Sequence, residues 1–184
     1  IEVAASGPAR EGSRLVKLLT WNIAGKDLPF HAPESWKLPD KLCAMKREIL
    51  RLKPDVLALQ ECPGDGVCDA VPAGMQLVGS VEGHPSGCYT QLYCRSDLEM
   101  QPVDLPRGAP AVAAGCTIEG TEVVFVSAHL CPFEEKAAER ARDVGRILSS
   151  RAGRAIVFMG DLNVRREEVK PLCEEHGLRA LPCS

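Results

Sequence analysis

No apolar run in this 184-residue sequence approaches the ~18 residues needed to cross a bilayer, so no transmembrane segment is expected. The N-terminus, Ile1-Glu2-Val3-Ala4-Ala5, lacks the basic-then-apolar layout of a secretory signal, and it lacks an initiator Met. The chain is therefore expected to be a piece cut from something longer. Positive charge is not in excess: the net charge is −3, which argues against a general nucleic-acid binder but leaves room for a local basic pocket. The nine cysteines (Cys43, Cys62, Cys68, Cys88, Cys94, Cys116, Cys131, Cys173 and Cys183) include no C-x-x-C pair, which argues against a zinc ribbon. Their odd number and irregular spacing make a poor disulfide framework. Cys62, Cys68, Cys88 and Cys94 lie close enough in sequence to pair in an oxidising compartment. The expectation is instead reduced thiols acting as small apolar residues, in an intracellular setting, cytoplasmic or nuclear. Internal repeats, coiled-coil heptads and low-complexity tracts are also absent.

What is present suits one globular domain: 45% apolar residues, 26% charged, and enough chain for a sizeable core. Residues 1–13 read as a flexible tail, and residues 14–184 as the folded domain. Leu15–Trp21 predicts a strand and Pro29–Pro39 a loop. Asp40 is placed to cap a helix running to about Leu52, with Leu42, Met45, Ile49 and Leu52 at helical spacing. Asp55–Gln60, Met75–Val81, Thr90–Cys94 and Ala155–Met159 read as strands, with loops at 62–69 and 83–87. Ala111–Ile118 and Glu122–Leu130 read as a hairpin across Gly120. Pro132–Ser150 predicts a helix with Ala138, Ala141, Val144 and Leu148 on one stripe, and Glu167–His176 a short helix closed by Gly177. Strands dominate and several adjoin as hairpins, which predicts layered sheets with covering helices rather than one parallel sheet.

Four strands end in a polar group: Thr20-Trp21-Asn22, Leu59-Gln60-Glu61, Ser127-Ala128-His129-Leu130 and Gly160-Asp161-Leu162-Asn163. If these strands lie side by side, their ends form one cleft of oxygen donors, amides and an imidazole. Oxygen donors suit a hard cation, which typically takes one or two carboxylates, keeps several waters and accepts phosphate oxygens. Glu61 is the first candidate ligand. The amides of Asn22 and Asn163 can hold a carboxylate, a phosphate oxygen or a water. Asp161 can orient or deprotonate an attacking water, and His129 can donate to a phosphate oxygen as charge builds. Arg165, two residues past Asn163, can grip a phosphate by a bidentate contact. Taken singly, each group has a plainer explanation: a turn Asn, a solvated Glu, a buried His, or an Asp and Asn capping the helix near Glu167. Their joint occurrence, each at a strand end, favours the site.

In this order, TWN with Asn22, LQE with Glu61, SAHL with His129 and GDLN with Asp161 and Asn163 resemble the signature of the endonuclease/exonuclease/phosphatase (DNase I-like) superfamily, from about Leu15 to Leu181. The resemblance implies an α/β four-layer sandwich of two mainly antiparallel sheets flanked by helices. It also implies Mg²⁺ or Mn²⁺ at Glu61 and Asn22, and hydrolysis of a phosphate ester by an in-line water that Asp161 positions or activates. Asn163 and His129 would share the catalytic work, and Asn22 and Arg165 would meet the phosphate. In motif detail the chain is similar to the tyrosyl-DNA phosphodiesterase type 2 branch, through TWNIAG, the helix after SAHL with Ala138-Glu139-Arg140, and Arg165 after GDLN. It departs from that branch at Leu162, where Thr is usual.

The family closes its site with a Ser-Asp-His, and this sequence contains no Asp-His pair; His176 stands in another context. A C-terminally incomplete domain is therefore expected. Losing an acid/base group of that kind typically costs ~10²–10⁴ in rate. The leading expectation is a Mg²⁺-dependent phosphodiesterase, a nuclease or 5′-tyrosyl-DNA phosphodiesterase among the options. The alternative is a catalytically impaired phosphate- or metal-binding module of the same fold, and a third reading is a structural domain with coincidental motifs. Nucleic acid leads as the substrate, with phosphoinositide and sphingolipid remaining open, and a monomer is expected.

Overall fold

The structure is a computed structural model that describes residues 15–25, 37–64, 66–83, 87–151 and 153–180. The expected tail at 1–13 and most of the expected 29–39 loop lie outside the described residues. Among the described residues, eight strands and three α-helices follow in the order β1 (Leu18–Asn22), α1 (Leu38–Leu52), β2 (Val56–Cys62), β3 (Met75–Glu82), β4 (Tyr89–Arg95), β5 (Gln101–Val103), β6 (Ala111–Ile118), β7 (Thr121–His129), α2 (Ala137–Ser149), β8 (Ala155–Asp161) and α3 (Arg166–His176). They form two four-stranded sheets, ordered β1-β2-β4-β3 and β5-β6-β7-β8. Pairing is antiparallel except at one edge of each sheet, where β1 runs parallel to β2 and β7 to β8. Each parallel pair is joined through a helix, α1 or α2, so each sheet carries one β-α-β unit.

Three apolar layers separate four layers of structure. Leu18, Val56, Ala58 and Leu92 of the first sheet meet Ala114, Phe125 and Met159 of the second. The alternate residues of β2, Leu57 and Leu59, pack outward against Met45 and Ile49 of α1. The alternate residues of β7, Val124, Val126 and Ala128, pack outward against Val144 and Ile147 of α2, with Leu172 of α3. β2 is thus apolar on both faces, which is why its sequence runs continuously apolar rather than alternating. The result is the expected four-layer sandwich.

Several boundaries differ from expectation, each for a local reason. Asp40 is not the N-cap of α1. The N-cap is Lys37, three residues earlier, with Pro39 in the first turn, where its missing N–H is no loss. Asp40 instead reaches back to accept from the Lys37 N–H at 2.7 Å. β5 was not foreseen because Pro102 disfavours a strand; it is tolerated here on a sheet edge. α2 begins at Ala137 rather than Pro132, after an extended stretch and a single 3₁₀ turn at Glu134–Lys136. Its buried stripe is Arg140, Val144 and Ile147, while Ala138 faces solvent. A buried arginine occupies a place that apolar periodicity assigns to alanine.

Candidate active site

Both β-α-β units end their strands at the same rim. Asn22 closes β1 opposite Gln60, one residue before Glu61, and His129 closes β7 directly opposite Asp161 of β8. Asn22 joins the two sheets. Its Nδ2 donates to Glu61 Oε1 at 2.8 Å and to Asp161 Oδ2 at 2.9 Å, while its Oδ1 accepts from the Ala24 N–H at 2.9 Å. His129, buried beneath them, holds Nε2 at 3.7 Å from Glu61 Oε1 and 4.0 Å from Asp161 Oδ2. Two carboxylates, an amide and an imidazole thus converge from four strands.

The two carboxylates arrive by different routes. Pairing between β2 and β4 shifts register between Leu59 and Cys62, and Glu61 inside that bulge has φ +57°. Simple alternation would align Glu61 with the outward-facing Leu57 and Leu59. The bulge and the left-handed backbone re-aim its carboxylate to the rim. Such a backbone costs about 1 kcal/mol or more for a non-glycine residue, and strain of this kind clusters at functional sites. Asp161 needs no such distortion, because it sits in unbroken register with His129. Its requirement is the glycine before it. A Cβ at Gly160 would fall 1.9 Å from the Ala128 carbonyl oxygen, so only glycine lets β8 lie against β7 there.

A buried polar bridge lies behind the site. Gln60 Nε2 donates to Ser127 Oγ at 3.2 Å across the sheets, and Thr20 Oγ1 to Gln60 Oε1 at 3.4 Å. Gln60 and Ser127 are fully buried. The sequence offered no signal for this role, since Gln60 and Ser127 read only as neighbours of Glu61 and His129. Beyond Glu61, the loop is pinned by Gln91, whose Nε2 donates to the Gly64 and Gly66 carbonyls at 2.9 and 2.8 Å. The Tyr93 hydroxyl accepts from the Cys68 N–H at 3.0 Å. Hydrogen bonding with the Cys62 thiol draws Cys68 down to about 7, and the same bond pushes Cys62 well up. All eight described cysteines are free thiols.

Asn163 and Arg165 lie beside this cluster in the turn after β8. The Asn163 N–H donates to Asp161 Oδ1 at 3.2 Å, and its Nδ2 donates to the Leu130 carbonyl at 2.9 Å. The turn is held with Asn163 at φ +49°, a left-handed conformation that asparagine tolerates. Arg165 sends Nη2 to the Pro132 carbonyl at 2.9 Å and Nη1 to its neighbour Asn163 O at 3.5 Å, so part of its fork is engaged by backbone. His176 lies apart on α3, its ring packed over Gly145 of α2.

The donor set fits a hard divalent cation. Among the described residues no three His, Cys, Asp or Glu side chains form a ready-made cage. Mg²⁺ ordinarily needs only one or two carboxylates and completes its shell with waters and phosphate oxygens. Glu61, with the Asn22 amide beside it at 2.8 Å, offers one such carboxylate, and Asp161 lies across the same amide.

The sequence model of the Endonuclease/Exonuclease/phosphatase family matches residues 19–169. The chain belongs to this family. Its fold is shared with a humanized D. rerio TDP2 (TM-score 0.59, 22% identity, 90% of this chain and 68% of that one). It is shared equally with the catalytic domain of human nocturnin bound to sulfate (0.65, 17%, 88% and 70%) and the endonuclease domain of TRAS1, a telomere-specific non-LTR retrotransposon (0.61, 15%, 88% and 72%). At these identities the likeness is one of fold, and the chain spans about two thirds of each structure. No curated protein matches the chain in sequence. Among the described residues no helix of this family member is long and apolar enough to cross a membrane.

Proposed function

We propose that this chain carries the metal-holding and water-positioning part of a Mg²⁺- or Mn²⁺-dependent phosphoric ester hydrolase acting on nucleic acid. The observation behind this reading is the Asn22 amide, which holds Glu61 and Asp161 from opposite sheets within hydrogen-bond reach, over the His129 imidazole. Carboxylates so close repel unless a cation or a shared donor lies between them. Glu61 would hold the cation, with the Asn22 amide beside it. The cation would polarise a phosphoryl oxygen and lower the pKa of a bound water. Asp161, its carboxylate fixed by two N–H donors, would orient and accept a proton from the attacking water. His129 would donate to a non-bridging phosphate oxygen as negative charge builds. Asn163 would hold the Asp161 turn in register with that water. Arg165 would place its positive charge beside the phosphate from a guanidinium anchored on Pro132.

Calorimetric titration with Mn²⁺ tests this directly. Loss of a second-layer partner costs a metal site 10–100-fold, so Glu61→Ala, a direct ligand, should cost roughly 100-fold or more. Unchanged Mn²⁺ affinity in Glu61→Ala would falsify the reading. A second reading is binding without efficient turnover at the same Glu61–Asn22–Asp161 cluster. Mg²⁺-dependent phosphodiester hydrolysis by the purified chain, abolished by Glu61→Ala, rules it out.

A further inference from the structure

The segment that leaves His129 is held by its carbonyl groups. Asn163 takes Leu130 O at 2.9 Å, Arg165 takes Pro132 O at 2.9 Å, and Arg140 takes Cys131 O at 3.0 Å and Phe133 O at 2.6 Å, with Glu134 O at 3.5 Å from its second amino group. Every carbonyl from Leu130 to Glu134 thus meets an amide or guanidinium. Arg140 is itself 1% exposed and locked to Glu168 at 2.6 Å. A loop fixed this firmly presents its side chains in set positions, and one of them is the ring of Phe133, 49% exposed.

That ring borders a pocket of about 340 Å³ that opens beside His129, with Lys136, Glu139 and Asp143 among its other walls. Its chemistry is not that of a second phosphate site. The Lys136 ammonium lies 3.3 Å from the Glu139 carboxylate, and Asp143 lies 3.5 Å from Arg146, leaving no uncompensated positive charge. Burial raises the Asp143 carboxyl, so it is a poorly hydrated acceptor. A flat face and two carboxylates suit a planar ring that carries amino hydrogens, because carboxylates accept from the exocyclic amines of bases and aromatic faces stack with them. An inositol or acyl chain offers no such ring.

Resting on the hydrolase reading above, we propose that this pocket receives the nucleobase next to the scissile phosphate, with Phe133 as its stacking platform and Asp143 and Glu139 as acceptors for an exocyclic amino group. A base can reach Phe133 only when it is out of a duplex stack, so the preferred substrate is single-stranded or frayed nucleic acid.

The test compares fluorescein-labelled hexadeoxycytidylate with a hexamer of abasic tetrahydrofuran phosphates, equal in charge, by anisotropy with Ca²⁺ as the cation at fixed salt. The wild-type chain should bind the base-bearing hexamer roughly tenfold more tightly than the abasic one, the scale of one stacked base. Phe133→Ala should bring that ratio to about one, and Phe133→Trp should keep it. Asp143→Asn should reduce the preference for deoxycytidylate over thymidylate, which has no exocyclic amine. Equal binding of both hexamers by the wild-type chain, a ratio that survives Phe133→Ala, or no measurable binding of either hexamer overturns the assignment. Phe133-dependent binding of a phosphotyrosine peptide, with the two hexamers bound equally, also overturns it and gives the platform to a protein side chain. Mn²⁺ calorimetry on wild type and Glu61→Ala is run alongside. Glu61-dependent Mn²⁺ binding without base preference removes the pocket and leaves the hydrolase reading standing. Base preference without Mn²⁺ binding does the reverse.

Discussion

The two β-α-β units do the same task by different means. Each sends two polar groups to the shared rim, Asn22 and Glu61 from β1-α1-β2, His129 and Asp161 from β7-α2-β8. Each helix buries one basic side chain near its start and turns it on the loop that leaves the first strand. In the first unit Lys41, 4% exposed, donates from Nζ to the Gly25 carbonyl at 3.0 Å. In the second unit Arg140 takes carbonyls of Cys131, Phe133 and Glu134 and pairs with Glu168. The carboxylates differ more sharply. Glu61 is delivered by a bulge and a left-handed backbone, whereas Asp161 is delivered by unbroken register over a glycine. The lesson is that one unit places its functional group by storing strain, and the other by removing a Cβ. The first should become more stable when its functional residue is relaxed, and the second should fail when its spacer is filled.

The largest effect is expected from filling that space. Gly160→Ala puts a methyl group 1.9 Å from a backbone oxygen that no rotamer change can move. Separation of β7 from β8 should cost roughly 4 kcal/mol or more, the range of the most disruptive single substitutions. Urea denaturation should show either an unfolded chain or a much lower midpoint. A midpoint within experimental error of wild type would mean that β8 does not depend on this close approach.

Next in size is the Arg140 clamp. Arg140→Ala leaves the Glu168 carboxylate without its guanidinium partner. It also takes that donor from the Cys131, Phe133 and Glu134 carbonyls, of which Phe133 O keeps the Lys136 N–H at 3.1 Å. Breaking a buried pair from one side costs about 3 kcal/mol. The same clamp carries a pH signature. Hydrogen bonding from Arg140 holds the Glu168 carboxyl below its ordinary 4.5. A carboxyl whose pKa is depressed in the folded state adds stability that is fully present above its unfolded value and is lost as pH falls through the folded one. Stability of the wild-type chain should therefore decline as pH drops below 4.5, and Glu168→Gln should flatten that decline. An equally steep acid slope in both proteins would show that the pair contributes nothing to it.

The smallest effect has the opposite sign. Glu61→Gly removes the left-handed strain and the repulsion between two carboxylates, at the cost of one hydrogen bond from Asn22. A net gain of about 1 kcal/mol is expected. Thermal unfolding should show a raised midpoint together with lost Mn²⁺ binding. A lowered midpoint would mean that the bulge is held by the Glu61 side chain rather than strained by it.

Much of this was legible in the residues. β2 and β7 were readable because unbroken apolar runs bounded by turns have little choice but a buried strand. The four polar ends were readable because each follows such a run directly. Two of the six candidate residues do more than the sequence supplied. Asn22 is the bridge between the carboxylates, and Arg165 spends part of its fork on the Pro132 carbonyl. Arg140 was hidden because periodicity counts only apolar residues, and a buried guanidinium satisfied by loop carbonyls looks like a solvated one in sequence. Gln60 and Ser127 were hidden because their bond runs between strands 67 positions apart.

By itself the sequence determined the strands other than β5 and which of their ends are polar, because these follow from local alternation, turn chemistry and ordered motifs. Only the tertiary structure decided that the four ends meet. That outcome depends on two sheets stacking with both parallel pairs at one rim, and on a bulge that turns Glu61 against its own alternation. Long-range packing fixes both, and no window of neighbouring residues encodes either.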